Sequence, residues 1–387
     1  MNKVSLYIIG FFAFAFTSCK NKLEVLAPGK EMVSIYGVLN PNDAVQNIRI
    51  NKVFVTDGDA NTAAQDANAV NYNAGELIVT LERYNTGSDV KLLTTQNNSV
   101  KKEIVLTETV VTTNTGAFSA QQRIWQTTDK LYFTGEYKIV VKKASDNTVL
   151  STAQTPMVDT LKPFNNVMPF CFYYNSNFPN QSYPMHGGYV PDSPPGSGTK
   201  QIAYLDYSVT SKNQYIWITG VANAKMYNIT VRFHYIDTLF DGSAINKYAD
   251  FALKNYITDK IQPAVIIKDI QFNANDFYTN LVKEINSKGT QNVKKRKSDY
   301  IEYIVSAVSE NVYTYLQVNT SSNTIAQDKP YYTNVINGVG IFGSKASTTV
   351  SKDLWSNFVD KIACYPTTYP YKFCNYTTGN PAVVTCP

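Results

Sequence analysis

The chain has 387 residues, of which 17% are charged, and a net charge of only +5. So slight a balance excludes a nucleic-acid surface built on a basic field. The 28 Tyr and the Thr- and Asn-rich text favour strands and polar loops over long solvent-washed helices, and the length suits two or three domains.

The one long apolar run, Val4 to Ser18, falls short of the roughly 20 residues that a spanning helix needs. Lys3 before it and the small residues Thr17 and Ser18 at its end give the layout of a secretory signal peptide. Cys19 follows directly, and "FAFAFTSCKNK" resembles a bacterial lipoprotein signal, with Phe16 where such signals usually carry Leu. That resemblance implies a signal peptide over 1–18, cleavage before Cys19, acylation of its thiol and a tether over 19–31. An ordinary signal peptide and an uncleaved anchor are the competing readings, and the short run argues against the anchor. One acyl chain holds a protein weakly at a membrane, whereas the several chains of a bacterial lipoprotein hold it stably.

From residue 32 to 162 the text predicts an immunoglobulin-like β domain. "VSIYGVLNP" and "QNIRINKVFV" are strand-like and separated by the turn cluster "NPNDAV". "GELIVTLERYN" and "DKLYFTGEYKIVVKK" follow, and the spacing of Leu131 and Tyr137 resembles the tyrosine corner of immunoglobulin-like sandwiches. Between "QNIRINKVFV" and "GELIVTLERYN", Asp57, Asp59 and Asn61 share the first spacings of a calcium loop, but Thr62 and Asn68 occupy the Gly and Glu positions. An EF-hand is excluded. Asp57, Asp59 and Asp66 remain weak candidates for an irregular calcium site, against a solvated polar loop.

Residues 163–200 are dense in Pro, Gly and Ser and predict a linker or long loop. The remainder, 201–387, predicts a second β domain with a helical insertion and a Cys-rich tail. Trp217 and Tyr227, in two β runs around "GVANAK", resemble the middle of a fibronectin type III domain. Phe277, Leu281 and Ile285 at helical spacing predict a helix from an Asn275 cap to a Gly289 stop. Its departure from a plain sandwich makes Phe277 and Leu281 candidates for a protein interface. "SDYIEYIVSAVS" reads as strand, "SENVYTYLQVN" as a short helix and "KDLWSNFVDKI" as another. The basic run Lys294 to Lys297 reads as a solvated turn, with a surface for anionic glycan or lipopolysaccharide phosphate as the alternative.

With Cys19 assigned to lipid, Cys171, Cys364, Cys374 and Cys386 remain, an even count that predicts two disulfides in an oxidising compartment. Three connectivities are open; the Gly379 and Pro381 loop favours Cys374–Cys386, leaving Cys171 for Cys364. Zinc spacing is absent, and no cofactor is expected. "GVGIFG" matches G-x-G-x-x-G, but its flanks read as loop and strand rather than strand and helix, so a glycine-rich β turn is expected. His186 and His234 are the only histidines, and neither has a nucleophile signature nearby. The expectation is a protein without catalysis. Paired carboxylates for glycoside hydrolysis stay open, since they need only proximity in the fold. Asp159-Thr160-Leu161 and Asp237-Thr238-Leu239 resemble the Asp-Thr-apolar acceptor of Bacteroidota O-glycosylation, which makes Thr160 and Thr238 candidates.

"SIYGVLNPNDAVQNIRINKVFV", "DGDANTAAQDANAVNY", "TGEYKIVV" and "PYYTNVINGVGIFGSK" occur in that order. Together they resemble uncharacterised outer-membrane lipoproteins of Bacteroidota, over most of residues 32–345. The resemblance implies an immunoglobulin-like N-terminal half, no assigned catalysis, and a genetic neighbourhood of TonB-dependent receptors. The expected function is that of a lipid-anchored accessory protein docked on an outer-membrane β-barrel. A surface glycan-binding lipoprotein is the alternative, with aromatic rings stacked in an exposed groove. A hydrolase, with clustered carboxylates in a cleft, is the remote one. Nucleic acid is not an expected partner. Cell-surface export in this phylum follows acidic residues after the lipid cysteine; "CKNKLE" offers only Glu24, so the periplasmic face stays open.

Overall fold

In the computed structural model the described residues are 32–53, 65–112, 121–161, 170–174, 202–203, 213–253, 255–258, 266–289, 292–320, 331–354, 359 and 362–374. Cys19, Asp57, Asp59, His186 and Cys386 lie outside them, as do the stretches expected to be signal peptide and tether.

Alternating apolar residues make the first strands. β1 (Val33–Leu39) turns at Asn40–Asp43 into β2 (Gln46–Lys52), and the expected "NPNDAV" turn is closed by Asp43 N donating to Asn40 O. A helical turn, α1 (Ala67–Val70), is capped by Asp66, whose carboxylate accepts from Asn68 N at 2.9 Å. This capping is the role of the one described calcium candidate. There follow β3 (Leu77–Tyr84), β4 (Lys91–Leu92), β5 (Thr94–Gln96), β6 (Ser99–Lys101), β7 (Glu103–Val105), β8 (Thr107–Thr112), β9 (Gln121–Thr127), β10 (Glu136–Lys143) and β11 (Val149–Pro156). Then come β12 (Phe170–Tyr174), β13 (Ile202–Ala203), β14 (Asn213–Thr219), β15 (Met226–Leu239), β16 (Ala244–Ala252), β17 (Tyr256–Ile257) and β18 (Ile266–Asn273). The chain continues through α2 (Ala274–Ser287), β19 (Val293–Val308), α3 (Glu310–Thr320), β20 (Val335–Ile336), β21 (Gly338–Leu354) and β22 (Phe373–Cys374). The fold is mainly β. Within the stretch expected to be linker, β12 is a strand, paired with β14.

The first core lies between two sheets. Ile35, Ile48, Ile50 and Trp125 face Val79, Leu81, Ile139 and Val141 across it. At its rim Leu131 and Tyr137 are buried, and the Tyr137 hydroxyl accepts from Tyr132 N at 3.1 Å. The expected tyrosine corner is therefore formed. A second stands in the other half of the chain, where the Tyr227 hydroxyl accepts from Val221 N at 2.8 Å.

The second core covers one face of β15 and β19. Every second residue of β15 points into it, Tyr227, Ile229, Val231, Phe233 and Tyr235 in turn. α2 closes it from the other side with Phe277, Leu281 and Ile285. The predicted helix forms, one residue earlier than its expected cap, and stops at Gly289, whose φ is +81°. Of "KDLWSNFVDKI", Lys352 to Leu354 belongs to β21, and the residues described after it, Val359 and Ile362, are helical, as is the chain on to residue 364.

The two cores are not consecutive in the chain. β21 pairs in parallel with β1 over Gly338–Ser344, then antiparallel with β19 over Lys345–Asp353. It thus joins both halves into one 11-stranded sheet. Val335 and Phe342 pack in the first core, so the expected boundary does not assign each core to one continuous segment. "GVGIFG" is the start of this strand, not a turn. At Gly340, with φ +113°, a Cβ would stand 2.1 Å from Ile35 O, and at Gly343 one would meet Val312 of α3 at 2.2 Å. These two glycines serve close backbone approach and helix packing, which leaves no phosphate-cradling role for the motif.

Candidate functional site

The polar face of the second sheet brings charged and aromatic side chains of three strands together. Alternation along β15 sends Arg232 and His234 outward while Val231, Phe233 and Tyr235 fill the core. Asp250 and Tyr248 stand opposite them on β16, in register with Arg232 and His234. On the other side the β15–β19 register shifts between Phe233 and Tyr235, so that Asp299 and Tyr300 together oppose His234. That bulge turns Tyr300 onto the outer face. Its ring stacks on the His234 imidazole with centroids 4.0 Å apart and planes 9° apart.

Arg232, His234, Asp250 and Glu302 on this face are paired. Arg232 holds Asp250 with two hydrogen bonds, Nε to Oδ1 at 2.7 Å and Nη2 to Oδ2 at 2.9 Å. His234 Nε2 lies 2.9 Å from Glu302 Oε2, and Ser351 donates to Glu302 Oε1 at 3.3 Å. Tyr248, 42% exposed, lies against Arg232 and Lys288, which stand 4.2 Å and 4.3 Å from its ring centre. Glu302 stands between Ser351 and His234, so the imidazole is not placed to take the serine proton. A Ser–His nucleophile is not assembled here. Among the described residues no group of three His, Cys, Asp or Glu is placed to hold a metal.

Other expected site residues are placed differently. Phe277 is 3% exposed and Leu281 is fully buried, so the proposed interface pair belongs to the protein's own core. The physical reason is plain: an apolar stripe at helical spacing buries against the sheet beside it. The outward side of α2 is polar, with Asn275, Asp276, Asn280 and Lys283 exposed. The basic run is part of β19 rather than a turn. Arg296 points inward, pairs in register with Asp237, and places Nε 2.9 Å from its carboxylate; Lys247 approaches the same carboxylate at 3.1 Å.

That pairing gives the Asp237-Thr238-Leu239 triplet a folding role, with Thr238 half-buried in a strand between two neighbours. Thr160 is half-buried in the connection after β11, where its backbone N–H donates to the Asp159 carboxylate at 2.6 Å. Cys364 is in a disulfide, and its partner lies outside the described side chains. Cys374 is a free, buried thiol. The expected Cys374–Cys386 loop is therefore not formed: β22 lies parallel to β19 and carries Cys374 inward, where burial pushes its pKa up.

Arg232, Tyr248, Asp250, Tyr300 and Glu302 were not singled out by sequence reasoning. The available signal was alternation: "VRFHY", "KYADF" and "DYIEY" each place charged or aromatic residues at every second position of a strand. No helix among the described residues is long and apolar enough to cross a membrane. Comparison with protein-family models gives no match, and comparison with curated proteins gives no significant relative.

Proposed function

We propose that the chain is a non-catalytic accessory lipoprotein, held at the outer membrane by acyl groups on Cys19 and docked beside a β-barrel partner. The observation that carries this reading is Cys19 itself, placed directly after an apolar run too short to span a bilayer. A tether confines the folded body near the membrane and raises its effective concentration toward a membrane partner. A modest interface then suffices. The paired state of His234, with a carboxylate between it and the nearest serine hydroxyl, supports binding over turnover. The contact does not run through Phe277 and Leu281, which are buried.

The test is purification of the full-length protein from native membranes in mild detergent, with identification of what comes with it by mass spectrometry. A stoichiometric β-barrel, together with release of a Cys19→Ala variant from the membrane fraction, is expected. A free monomer that hydrolyses a glycan or peptide overturns the reading.

A specific observation favours a second reading. The surface around Tyr248, His234 and Tyr300 carries aromatic rings among fixed polar groups, the composition of a glycan-binding surface lipoprotein.

A further inference from the structure

We infer that the outer face of β15, β16 and β19 is a platform for a neutral carbohydrate chain. The inference extends the proposed function by naming what the membrane-tethered body would hold, and it rests on that reading only for an export-side location.

Three features of the face point to this ligand class. The first is a fixed ring. Tyr300 is pinned on one side by the near-parallel stack with His234, and no described ring or cation covers its other side. A sugar ring presents a face of C–H bonds that packs on such a surface, while the phenol hydroxyl stays available for a polar contact.

The second feature is preorganised polar geometry. The Arg232 guanidinium uses Nε and Nη2 on Asp250, which holds its plane fixed and leaves Nη1 unused by that carboxylate. His234 is likewise held by Glu302. Groups already locked by one another lose little freedom when a ligand arrives. The hydroxyls of a sugar both donate and accept, as guanidinium, carboxylate and phenol groups in one patch require.

The third is charge complementarity. Arg232 is matched by Asp250, and Lys288 lies 3.4 Å from Glu284. On β19 the exposed Lys297 and Asp299 are of opposite sign, and Glu302 sits against His234 and a serine hydroxyl. No field of one sign is left to select a phosphate, a polyanion or a basic peptide. The face also extends across several strands. Tyr248 and Tyr300 flank β15 from neighbouring strands, two strand spacings or about 10 Å apart, a span that an oligosaccharide of a few sugars bridges. Ser351 and Thr349, exposed on β21, continue it.

Full-length protein in mild detergent is run through native gels containing soluble neutral glucan, mannan or xylan, beside gels containing polygalacturonate. Retardation in at least one neutral gel is expected. Tyr300→Ala and Arg232→Ala should each weaken it at least tenfold. Should either variant fail to fold by circular dichroism, Ser351→Arg, at an exposed position, is expected to block the same retardation. The inference is overturned by migration unchanged in every neutral gel, by retardation in polygalacturonate alone, or by retardation that all three folded variants retain. It is equally overturned if Tyr300→Ala abolishes co-purification of a barrel and no neutral polysaccharide retards the parent protein. A protein that binds a neutral glycan without any barrel partner upholds this inference while removing the docking half of the proposed function.

Discussion

Arg296 and Asp237 stand opposite each other on neighbouring strands with 2.9 Å between guanidinium and carboxylate, and both are removed from solvent. Breaking a buried pair by deleting one partner leaves a charge uncompensated. Asp237→Ala, which would leave the Arg296 guanidinium buried without a carboxylate, is therefore expected to destabilise the protein by about 3–5 kcal/mol. The combined replacement Asp237→Leu with Arg296→Met should cost far less, because Lys247 can return its ammonium to water. Urea unfolding of the three proteins decides it.

The two tyrosine corners make a matched pair. Tyr137→Phe and Tyr227→Phe each remove one hydroxyl that accepts from a backbone N–H. Each should lower stability by about 1–2 kcal/mol. The losses should add, since the corners belong to different cores. Equilibrium denaturation of the single and double variants measures this.

Gly340→Ala is expected to be severe. Its φ is +113° and the new Cβ would meet the Ile35 carbonyl oxygen at 2.1 Å. The strained backbone alone costs about 1–3 kcal/mol, and the collision adds to it by separating β21 from β1. Loss of at least that much in a thermal or chemical melt is the expected result.

Alkaline pH should unfold the protein early. Burial, followed by the Asp237 charge, pushes Tyr235 up to about 12. Burial alone raises Tyr303 well above its ordinary range. In the unfolded chain the same phenols ionise near pH 10. The folded state holds its protons longer, so stability is fully present below about pH 10 and falls as pH rises toward the folded-state values. Burial of Cys374 acts in the same direction, from about pH 8.5, where an unfolded thiol ionises. Tyrosinate absorbance should rise together with loss of far-ultraviolet signal, not before it.

A fragment ending at residue 162 should not fold as an independent domain. It lacks the Gly338–Ser344 stretch that pairs with β1, and with it Val335 and Phe342 of the first core. The β1 edge would be left as an open row of backbone donors and acceptors beside exposed apolar side chains. Aggregation, or a broad non-cooperative melt, is the expected behaviour of that fragment.

Local features of this molecule could be read from its residues, and long-range ones could not. Leu131 and Tyr137 announced a corner, and Phe277, Leu281 and Ile285 announced a helix, because each signal lies within one or two turns of chain. The same helical stripe was silent on what it meets, and the meeting partner proved to be the protein's own sheet. Lys294 to Lys297 looked like surface because composition does not report that Asp237, more than fifty positions earlier, waits opposite Arg296. The outer face around His234 depended on a β19 bulge and on three strands lying side by side. Its members were visible singly, as polar residues on alternate positions, but their convergence is a property of register.

β21 has a mechanical consequence. A strand of 17 residues spans roughly 55 Å, and here it is bonded in its first part to β1 and in its second to β19. Two bodies that share such a beam do not hinge about a linker; a push on one is delivered to the other as a tilt. β1, bonded to the first part of that beam, is the first described strand, and it runs from Val33 toward the second core. A displacement of β1 is therefore passed along a continuous hydrogen-bonded ladder, through β21 and β19, to the strand that carries His234.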